Sequence, residues 1–245
     1  MPKVAAAAQV GEWLYTAAVN FFGHAVVARW VRNDPHWILG TMLPDFVSMC
    51  RARIEHVSDP DLAAGVAFHH RTDEAFHGCH TFRALERGGI HALEGAGVGR
   101  GAARAVAHVG TELLIDGLLI EDGQACADYL SAVNVPGELG IDFRHGADRF
   151  AELRSRVAEH GLPTGYGSPS GVTTRLRRIL ERRPRLALVE HEEEAVTSWL
   201  GDTRAKLEAE LATLLEEVRE RLGEVDTSAR ERAILGQRER CVFGT

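Results

Sequence analysis

Lysine is nearly absent from this sequence of 245 residues. Of its 28 basic residues, only Lys3 and Lys206 are lysines. Almost every cation is therefore an arginine, whose planar guanidinium suits two-point contacts with carboxylates and phosphates. Acidic residues outnumber basic ones, and the formal net charge is −7. Because a protein that neutralises many phosphates needs a surplus of basic residues, this balance argues against general binding of nucleic acids.

Cysteine is also scarce. The four cysteines, Cys50, Cys79, Cys126 and Cys241, are widely spaced and form no C-x-x-C pair. This spacing favours neither a zinc knuckle nor a disulfide framework, and we expect a reducing, cytoplasmic environment.

A long uninterrupted apolar run is missing too. The N-terminal stretch "MPKVAAAAQVGEWLYTAAVNFFGHAVVARW" is broken by Gln9, Glu12 and Asn20 before it reaches the length of a signal peptide or a membrane span. We therefore expect a leader that runs into a helix, and no association with a membrane.

Signals for β-strands are nearly absent, whereas Ala, Leu, Glu and Arg fill long stretches with helical periodicity. The sequence predicts an all-α protein. "SDPDLAAGV" predicts a helix with Ser58 or Asp59 as its N-cap and Pro60 at its first position, and this helix should continue through Asp73. Further helices are expected over about 12–32, 38–53, 102–120, 124–133, 144–160 and in the charged run to about 222, and loops over 88–101 and 161–171.

The stretch "FHHRTDEAFHGCH", residues 68–80, is rich in possible metal ligands. His69 and Asp73 are four residues apart and share one face of the predicted helix. His70 points about 100° away from His69, so both cannot bind one small ion from an unbroken helix. His77 lies one turn further along, close to Gly78, where the helix is expected to end.

A second polar stripe occurs in "HVGTELLID", where His108, Glu112 and Asp116 stand at i, i+4 and i+8 of an otherwise apolar helix. Three polar groups on one stripe need partners if they are buried. His24 and Asp45 also lie in apolar surroundings. Each such pair alone is commonly a hydrogen-bonded structural pair, but a set spread over four helices is typical of helical metallohydrolases.

These ligand types also bear on which metal would bind. Imidazole and carboxylate without thiolate suit manganese, iron, magnesium or zinc, and manganese is the first expectation. Such an ion lowers the pKa of a bound water and polarises a phosphoryl oxygen. The set therefore favours hydrolysis of a phosphoester.

Five ordered blocks resemble those of acyl-carrier-protein phosphodiesterases. They are "NFFGHAVVA" (20–28), "GTMLPDFV" (40–47), "GVAFHHRTDEAF" (65–76), "ELLIDGLL" (112–119) and "RRPRL" (182–186). The resemblance implies a helical bundle like that of HD-domain phosphohydrolases, a divalent metal such as manganese, and release of 4′-phosphopantetheine from holo acyl carrier protein. It covers residues 20–200, which leaves 1–19 as an N-terminal leader and 201–245 as a C-terminal helical extension.

Carried over by position, the resemblance implies a metal shell of His24, Asp45, His69, Asp73 and Asp116. Three positions depart from the family pattern: His70 replaces the usual arginine, His77 stands where an aspartate is common, and Gly117 replaces the histidine that normally follows the last aspartate. We expect the catalytic set to comprise His70, His108 and Glu112, with His70 or His108 assisting proton transfer.

The arginine-rich stretch "RLRRILERRPRL" could dock an acidic carrier protein or a phosphate-bearing arm. The predicted substrate contacts are His77, Arg178, Arg182 and Arg183. Alternatively, the stretch is a solvated helix face balanced by Glu181 and the acidic run at 190–194.

Two other functions remain open. The same metal chemistry could act on a nucleotide or another small phosphoester, or the chain could be a non-catalytic helical protein that binds a partner. The apolar positions of the C-terminal helix would suit either a homodimer or packing on the chain's own core; they are Leu207, Leu211, Leu214, Leu215, Val218 and Leu222.

Overall fold

A computed structural model describes residues 21–121, 123–162 and 164–242, with side chains described as far as residue 223 apart from that of residue 164. It confirms the prediction of an all-α protein, because helices form nearly all the regular structure of this part of the chain. The helices are α1 (Phe21–Ala28), α2 (Pro35–Met49), α3 (Pro60–Gly78), α4 (His80–Gly95), α5 (Arg100–Leu119), α6 (Gly123–Val133), α7 (Ala147–His160), α8 (Pro169–Leu180) and α9 (Glu193–Val242). Short 3-10 turns cover Thr164–Gly167 and Glu190–Glu192.

The start of α3 matches its sequence signal. The Asp59 carboxylate accepts hydrogen bonds from the backbone N–H groups of Asp61 (3.0 Å) and Leu62 (2.8 Å), and Pro60 occupies the first helical position. The helix ends at Gly78, as expected. His69, Asp73 and His77 therefore all lie on one unbroken helix.

The structure contains one small sheet that the sequence analysis missed. Strands β1 (Arg53–Val57) and β2 (Ile141–His145) pair in antiparallel fashion. Both are short and largely exposed, and only some of their apolar side chains pack against the core. In β2, Ile141 and Phe143 alternate with Asp142 and Arg144, but a run of five residues is too short for its pattern to distinguish a strand reliably. The helix expected over 38–53 consequently ends at Met49, before β1.

The loop predicted over 88–101 is also wrong. Helix α4 continues to Gly95, and only residues 96–99 separate it from α5. Gly89 lies inside α4, and the absence of a side chain there leaves room for the Trp199 indole of α9. A Cβ on Gly89 would come within 2.5 Å of a carbon of that ring. The glycine provides room for a packing contact and does not form a turn.

Helices α2 and α3 cross at very short range. A Cβ added to Gly65 would stand 2.4 Å from the Trp37 carbonyl oxygen and 2.8 Å from the Cα of Gly40. Only two glycines allow backbones to approach this closely. Thr41 follows Gly40 directly on α2, and His69 lies one turn after Gly65 on α3; a hydrogen bond joins His69 Nδ1 to the Thr41 carbonyl oxygen.

Helix α9 packs on the rest of the chain through its first half and runs through the predicted boundary at residue 200. Six of its apolar residues are buried within the chain; they are Val196, Leu200, Leu207, Leu214, Val218 and Leu222. The Glu217 carboxylate accepts hydrogen bonds from the backbone N–H (3.0 Å) and hydroxyl (2.9 Å) of Thr81 near the start of α4. These contacts favour packing on the chain's own core, and the homodimer stays a prediction.

Among the described residues, no helix combines the length and the apolar character that crossing a membrane requires.

Candidate metal centre

Two polar stripes, on α3 and α5, lie side by side and extend from the interior of the bundle to its surface. His69, Asp73 and His77 form one stripe, and His108, Glu112 and Asp116 form the other. The imidazoles of His77 and His108 stack with ring centroids 4.9 Å apart. Helices α1 and α2 add His24 and Asp45 at the other end of the α3 stripe. The structure thus assembles the predicted His/carboxylate set from four helices.

We define the inner cluster as His24, Asp45 and His69. One possible ligand atom from each of the three lies within 4.8 Å of the others. The two imidazoles are buried, and their ring centroids are 4.1 Å apart. This spacing lets three protein ligands reach a single ion.

Hydrogen bonds fix the tautomers of both inner histidines. His69 Nδ1 lies 2.9 Å from the Thr41 carbonyl oxygen, which can only accept, so Nδ1 carries the proton. The Thr72 hydroxyl donates its one proton to the His69 carbonyl oxygen (2.8 Å), so it accepts from His24 Nδ1 at 2.6 Å. In both rings the lone pair is therefore on Nε2, where it can bind a metal.

Burial keeps these rings neutral. It lowers the pKa of His24 from its usual value to about 3, with a smaller contribution from neighbouring His69. Burial also lowers the pKa of His69. Neutral imidazole is the form that binds metals, so both ligands are ready at neutral pH without losing a proton.

Asp45 supplies the carboxylate of the inner cluster. Its Oδ2 is inaccessible to solvent, has no hydrogen-bond partner among the described residues, and lies 4.0 Å from His24 Nε2. Burial, together with the nearby charges of Asp116 and Asp73, raises the pKa of this carboxyl group well above its usual range. A buried carboxylate oxygen without a partner is costly unless a cation binds it.

We define the outer cluster as His77, His108 and Glu112, whose possible ligand atoms also lie within 4.8 Å of one another. Glu112 Oε1 is 3.6 Å from His77 Nε2 and 3.3 Å from His108 Nε2. Glu112 is buried, and burial and then Asp116 raise the pKa of its carboxyl group well above the usual range. The sequence analysis assigns these three residues to catalytic and substrate contacts, whereas the structure brings them together as a second group of donors.

Asp73 lies between the two clusters. It stands four residues after His69 and four before His77 on α3, and its Oδ1 is 3.2 Å from His77 Nε2. The hydrogen bond with His77 lowers the pKa of its carboxyl group despite partial burial. Asp73 is therefore an ionised carboxylate within reach of the outer cluster.

Asp116 has a different environment from the other predicted ligands. It is fully buried, and its carboxylate accepts hydrogen bonds from the backbone N–H groups of Gly23 (2.8 Å) and Phe22 (3.4 Å) in the first turn of α1. N–H groups at the start of a helix lack partners within the helix, and a negative charge there is favourable. Asp116 thus fixes the turn that carries His24, and its direct metal contact stays a prediction.

The packing around Gly117 accounts for the absence of the histidine that the resemblance to acyl-carrier-protein phosphodiesterases implies after Asp116. A Cβ on Gly117 would lie 2.2 Å from the carbonyl oxygen of Tyr166. The 3-10 turn at Thr164–Gly167 occupies the space that a histidine side chain would need. A metal ligand at this position is therefore impossible in this packing.

The remaining predicted contacts lie apart from one another. His70 is exposed, with its ring perpendicular to that of His69 at 5.3 Å. Arg178 lines a cavity of about 510 Å³ whose described lining residues include none of the two clusters. Arg182 and Arg183 lie in the exposed turn that follows α8. The structure does not bring the three arginines and the clusters into one pocket.

Sequence reasoning missed the groups that orient the histidines. Thr72 and the Thr41 carbonyl hold His24 and His69, and the Glu86 carboxylate accepts a hydrogen bond from His108 Nδ1 at 2.8 Å. Thr72 stands three residues after His69, so the shared helix face was a usable signal. Glu86 lies on α4, and nothing in its local sequence indicates that it meets α5.

Comparisons with models of known protein families, with curated proteins and with solved structures each found no match. The resemblance to acyl-carrier-protein phosphodiesterases rests on the five sequence blocks alone.

The burial of His24 predicts a pH dependence of the metal-free fold. Its pKa is about 3 in the folded chain and about 6.5 when unfolded. The unfolded chain binds more protons between these values, so the contribution of His24 to stability is complete above pH 6.5 and is lost as the pH falls. At 1.36 kcal/mol per pH unit, it amounts to about 2 kcal/mol between pH 7 and pH 5.

Urea unfolding of chelator-treated protein at pH 7 and pH 5 measures this loss. We expect His24→Gln to lose about 2 kcal/mol less than the native chain over this interval. His91→Gln, which changes an exposed histidine of α4, should behave like the native chain. Equal losses in the native chain and His24→Gln would contradict the assignment.

Proposed function

We propose that this protein is a metal-dependent phosphoester hydrolase. The observation that carries the proposal is the inner cluster, where the Nε2 lone pairs of His24 and His69 accompany a buried Asp45 oxygen without a hydrogen-bond partner among the described residues. A structural polar cluster would pair that oxygen. A cation-binding site leaves it available, because the ion supplies the missing partner.

The donor set fits a hard or borderline divalent cation. Two neutral imidazoles and one carboxylate leave coordination positions for water and substrate, as in catalytic sites with three protein ligands. Manganese is the first expectation, with iron, magnesium and zinc also compatible. When bound, such an ion activates water and neutralises charge on a phosphoryl oxygen.

Substrate would approach from the α3 side of the outer cluster. Exposure rises from the buried inner histidines to Asp73 and His108, whose side chains are 50% and 37% exposed. Hydrolysis joins the oxygen of water to phosphorus, breaks the bond to the leaving oxygen and moves one proton to that oxygen. Exposed His70, next to His69, is the proposed group for proton transfer.

The proposed substrate is holo acyl carrier protein, which would lose 4′-phosphopantetheine. This choice is supported by the five sequence blocks and by the exposed arginines after α8. A nucleotide or other small phosphoester is the second candidate, because His70 and His77 stand where the resemblance implies an arginine and an aspartate, and both lie beside the clusters, His70 next to His69 and His77 next to Asp73.

The test is hydrolysis by metal-depleted protein after addition of Mn²⁺. We expect the ion to restore cleavage of bis(p-nitrophenyl) phosphate, and mass spectrometry of treated holo carrier protein to show loss of the phosphopantetheine arm. Cleavage of a nucleotide but not of the carrier protein would select the second candidate. No cleavage of any phosphoester at saturating Mn²⁺ would contradict hydrolase function and favour a partner-binding protein.

A further inference from the structure

We propose that the outer cluster, His77, His108 and Glu112, binds a second divalent cation, and that Asp73 is a ligand shared between the two ions. The sequence assigns these three residues to catalysis and substrate contact, not to a metal. The inference deepens the proposed function, since it adds a second ion beside the inner cluster.

The geometry of the donors is the first argument. Glu112 Oε1 stands within 3.6 Å of both His77 Nε2 and His108 Nε2. The two imidazoles stack at an interplanar angle of 14°, and in both rings Nε2 is the nitrogen that lies near Glu112 Oε1. Two imidazoles and one carboxylate repeat the donor set of the inner cluster, and they suit the same class of ion.

The orientation of His108 is the second argument. Its Nδ1 lies 2.8 Å from Glu86 Oε1, and an ionised carboxylate can only accept, so Nδ1 carries a proton. In a neutral ring the lone pair is then on Nε2, the atom nearest Glu112. A carboxylate that holds the far nitrogen of a histidine is the usual outer partner of a metal-binding imidazole.

The position of Asp73 is the third argument. Side chains four residues apart are neighbours on a helix, so Asp73 is adjacent to His69 on one side and to His77 on the other. Its Oδ1 accepts a hydrogen bond from His77 Nε2 at 3.2 Å, where a bound ion would replace the proton, and its charge acts on both His24 and His69. A carboxylate with two oxygens in this position can bind one ion through each.

Charge balance is the fourth argument. Four carboxylates are close enough for their charges to influence one another; they are Asp45, Asp73, Glu112 and Asp116. Together with Glu86, which also acts on Glu112, they carry five negative charges when ionised, and two divalent cations would offset four of them. Paired ions about 3.5–4 Å apart are a recurrent arrangement in enzymes that cleave phosphoesters.

The experiment counts Mn²⁺ ions bound to the full-length chain by equilibrium dialysis. We expect two ions per native chain and one per chain of His108→Gln. His91→Gln is the matched control, because it makes the same change at an exposed position of α4, and it should still bind two. Electron paramagnetic resonance should show a spin-coupled manganese pair in the native protein and a single-ion signal in His108→Gln.

Glu86→Gln provides a readout that does not depend on removing a ligand. Loss of the Glu86 charge should weaken binding of the ion in the outer cluster by roughly 10–100-fold and leave the affinity for the ion in the inner cluster unchanged. Circular dichroism checks that each variant is folded.

The outcomes separate the two proposals. One ion per native chain, with no change in His108→Gln, would overturn the second site and leave the proposed function standing. Two ions without spin coupling would overturn the sharing of Asp73. If the native chain binds no Mn²⁺, both proposals fail.

Discussion

Asp45→Asn should remove hydrolytic activity and at the same time raise the melting temperature of the metal-free protein. The amide is neutral at every pH, so it avoids the cost that burial, and then the charges of Asp116 and Asp73, impose on the ionised carboxylate. It can also donate a hydrogen bond toward His24 Nε2, which is 4.0 Å from the present Oδ2. Relief of one unsatisfied buried group is worth about 2 kcal/mol. For a chain of this size the increase corresponds to roughly 4–8 °C.

When metal is present, Asp45→Asn should instead lower the melting temperature relative to the native protein. At a Mn²⁺ concentration 100 times the dissociation constant, binding stabilises the native protein by about 2.7 kcal/mol, and the variant should lose this increment. Its kcat should fall by about 10³-fold, because the stabilisation that an ion gives to transition-state charge is worth several kcal/mol. Differential scanning calorimetry with and without Mn²⁺, together with phosphodiester hydrolysis, measures all three effects.

Asp202→Asn is the matched control, since Asp202 is an exposed aspartate on α9. It should change neither the melting temperature nor the response to Mn²⁺. An Asp45→Asn protein that retains activity and is still stabilised by Mn²⁺ would show that the ion binds elsewhere.

Gly65→Ala should destabilise the protein by roughly 3 kcal/mol, although alanine favours helices. The added Cβ would meet the backbone of Trp37 at 2.4 Å and of Gly40 at 2.8 Å, and backbone atoms cannot rotate away as a side chain can. Helices α2 and α3 must then separate. This movement would stretch the hydrogen bond from His69 to the Thr41 carbonyl, so affinity for Mn²⁺ should fall with stability.

Gly88→Ala is the matched control for this prediction. Gly88 also lies inside a helix, and a Cβ there would meet no atom within 4 Å. This variant should gain up to about 1 kcal/mol from helix propensity and bind Mn²⁺ normally. Denaturant unfolding of both variants gives the comparison, and a Gly65→Ala protein as stable as Gly88→Ala would show that the helix crossing tolerates a side chain.

The sequence is informative where function depends on the spacing within one helix. The intervals 69, 73, 77 and 108, 112, 116 follow the 3.6-residue turn, so residue spacing alone predicts both polar stripes. The capping signal at Asp59 and Pro60 likewise acts locally, and it predicts the start of α3 correctly. In the folded chain each stripe lies on a single unbroken helix, one on α3 and the other on α5.

Contacts between helices cannot be predicted in the same way. The pairing of His108 with Glu86 joins residues 22 apart on different helices, and neither local sequence encodes it. The local sequence around Gly89 predicts a loop because the residue that needs its space, Trp199, is distant along the chain. In a sequence, a glycine that forms a turn cannot be distinguished from one that makes room for a close packing contact. Only the residue that packs against it in the folded chain separates the two cases.

The increase in exposure along the line of ligands has a kinetic consequence. An ion held by His24, Asp45 and His69 would be enclosed by the bundle, whereas one held near Asp73 and His108 would be in contact with solvent. The two ions should then have very different residence times: a chelator would strip the outer ion quickly and reach the inner one only after the helices open. Such a centre would release its inner ion slowly and exchange the outer one rapidly with the surrounding metal pool.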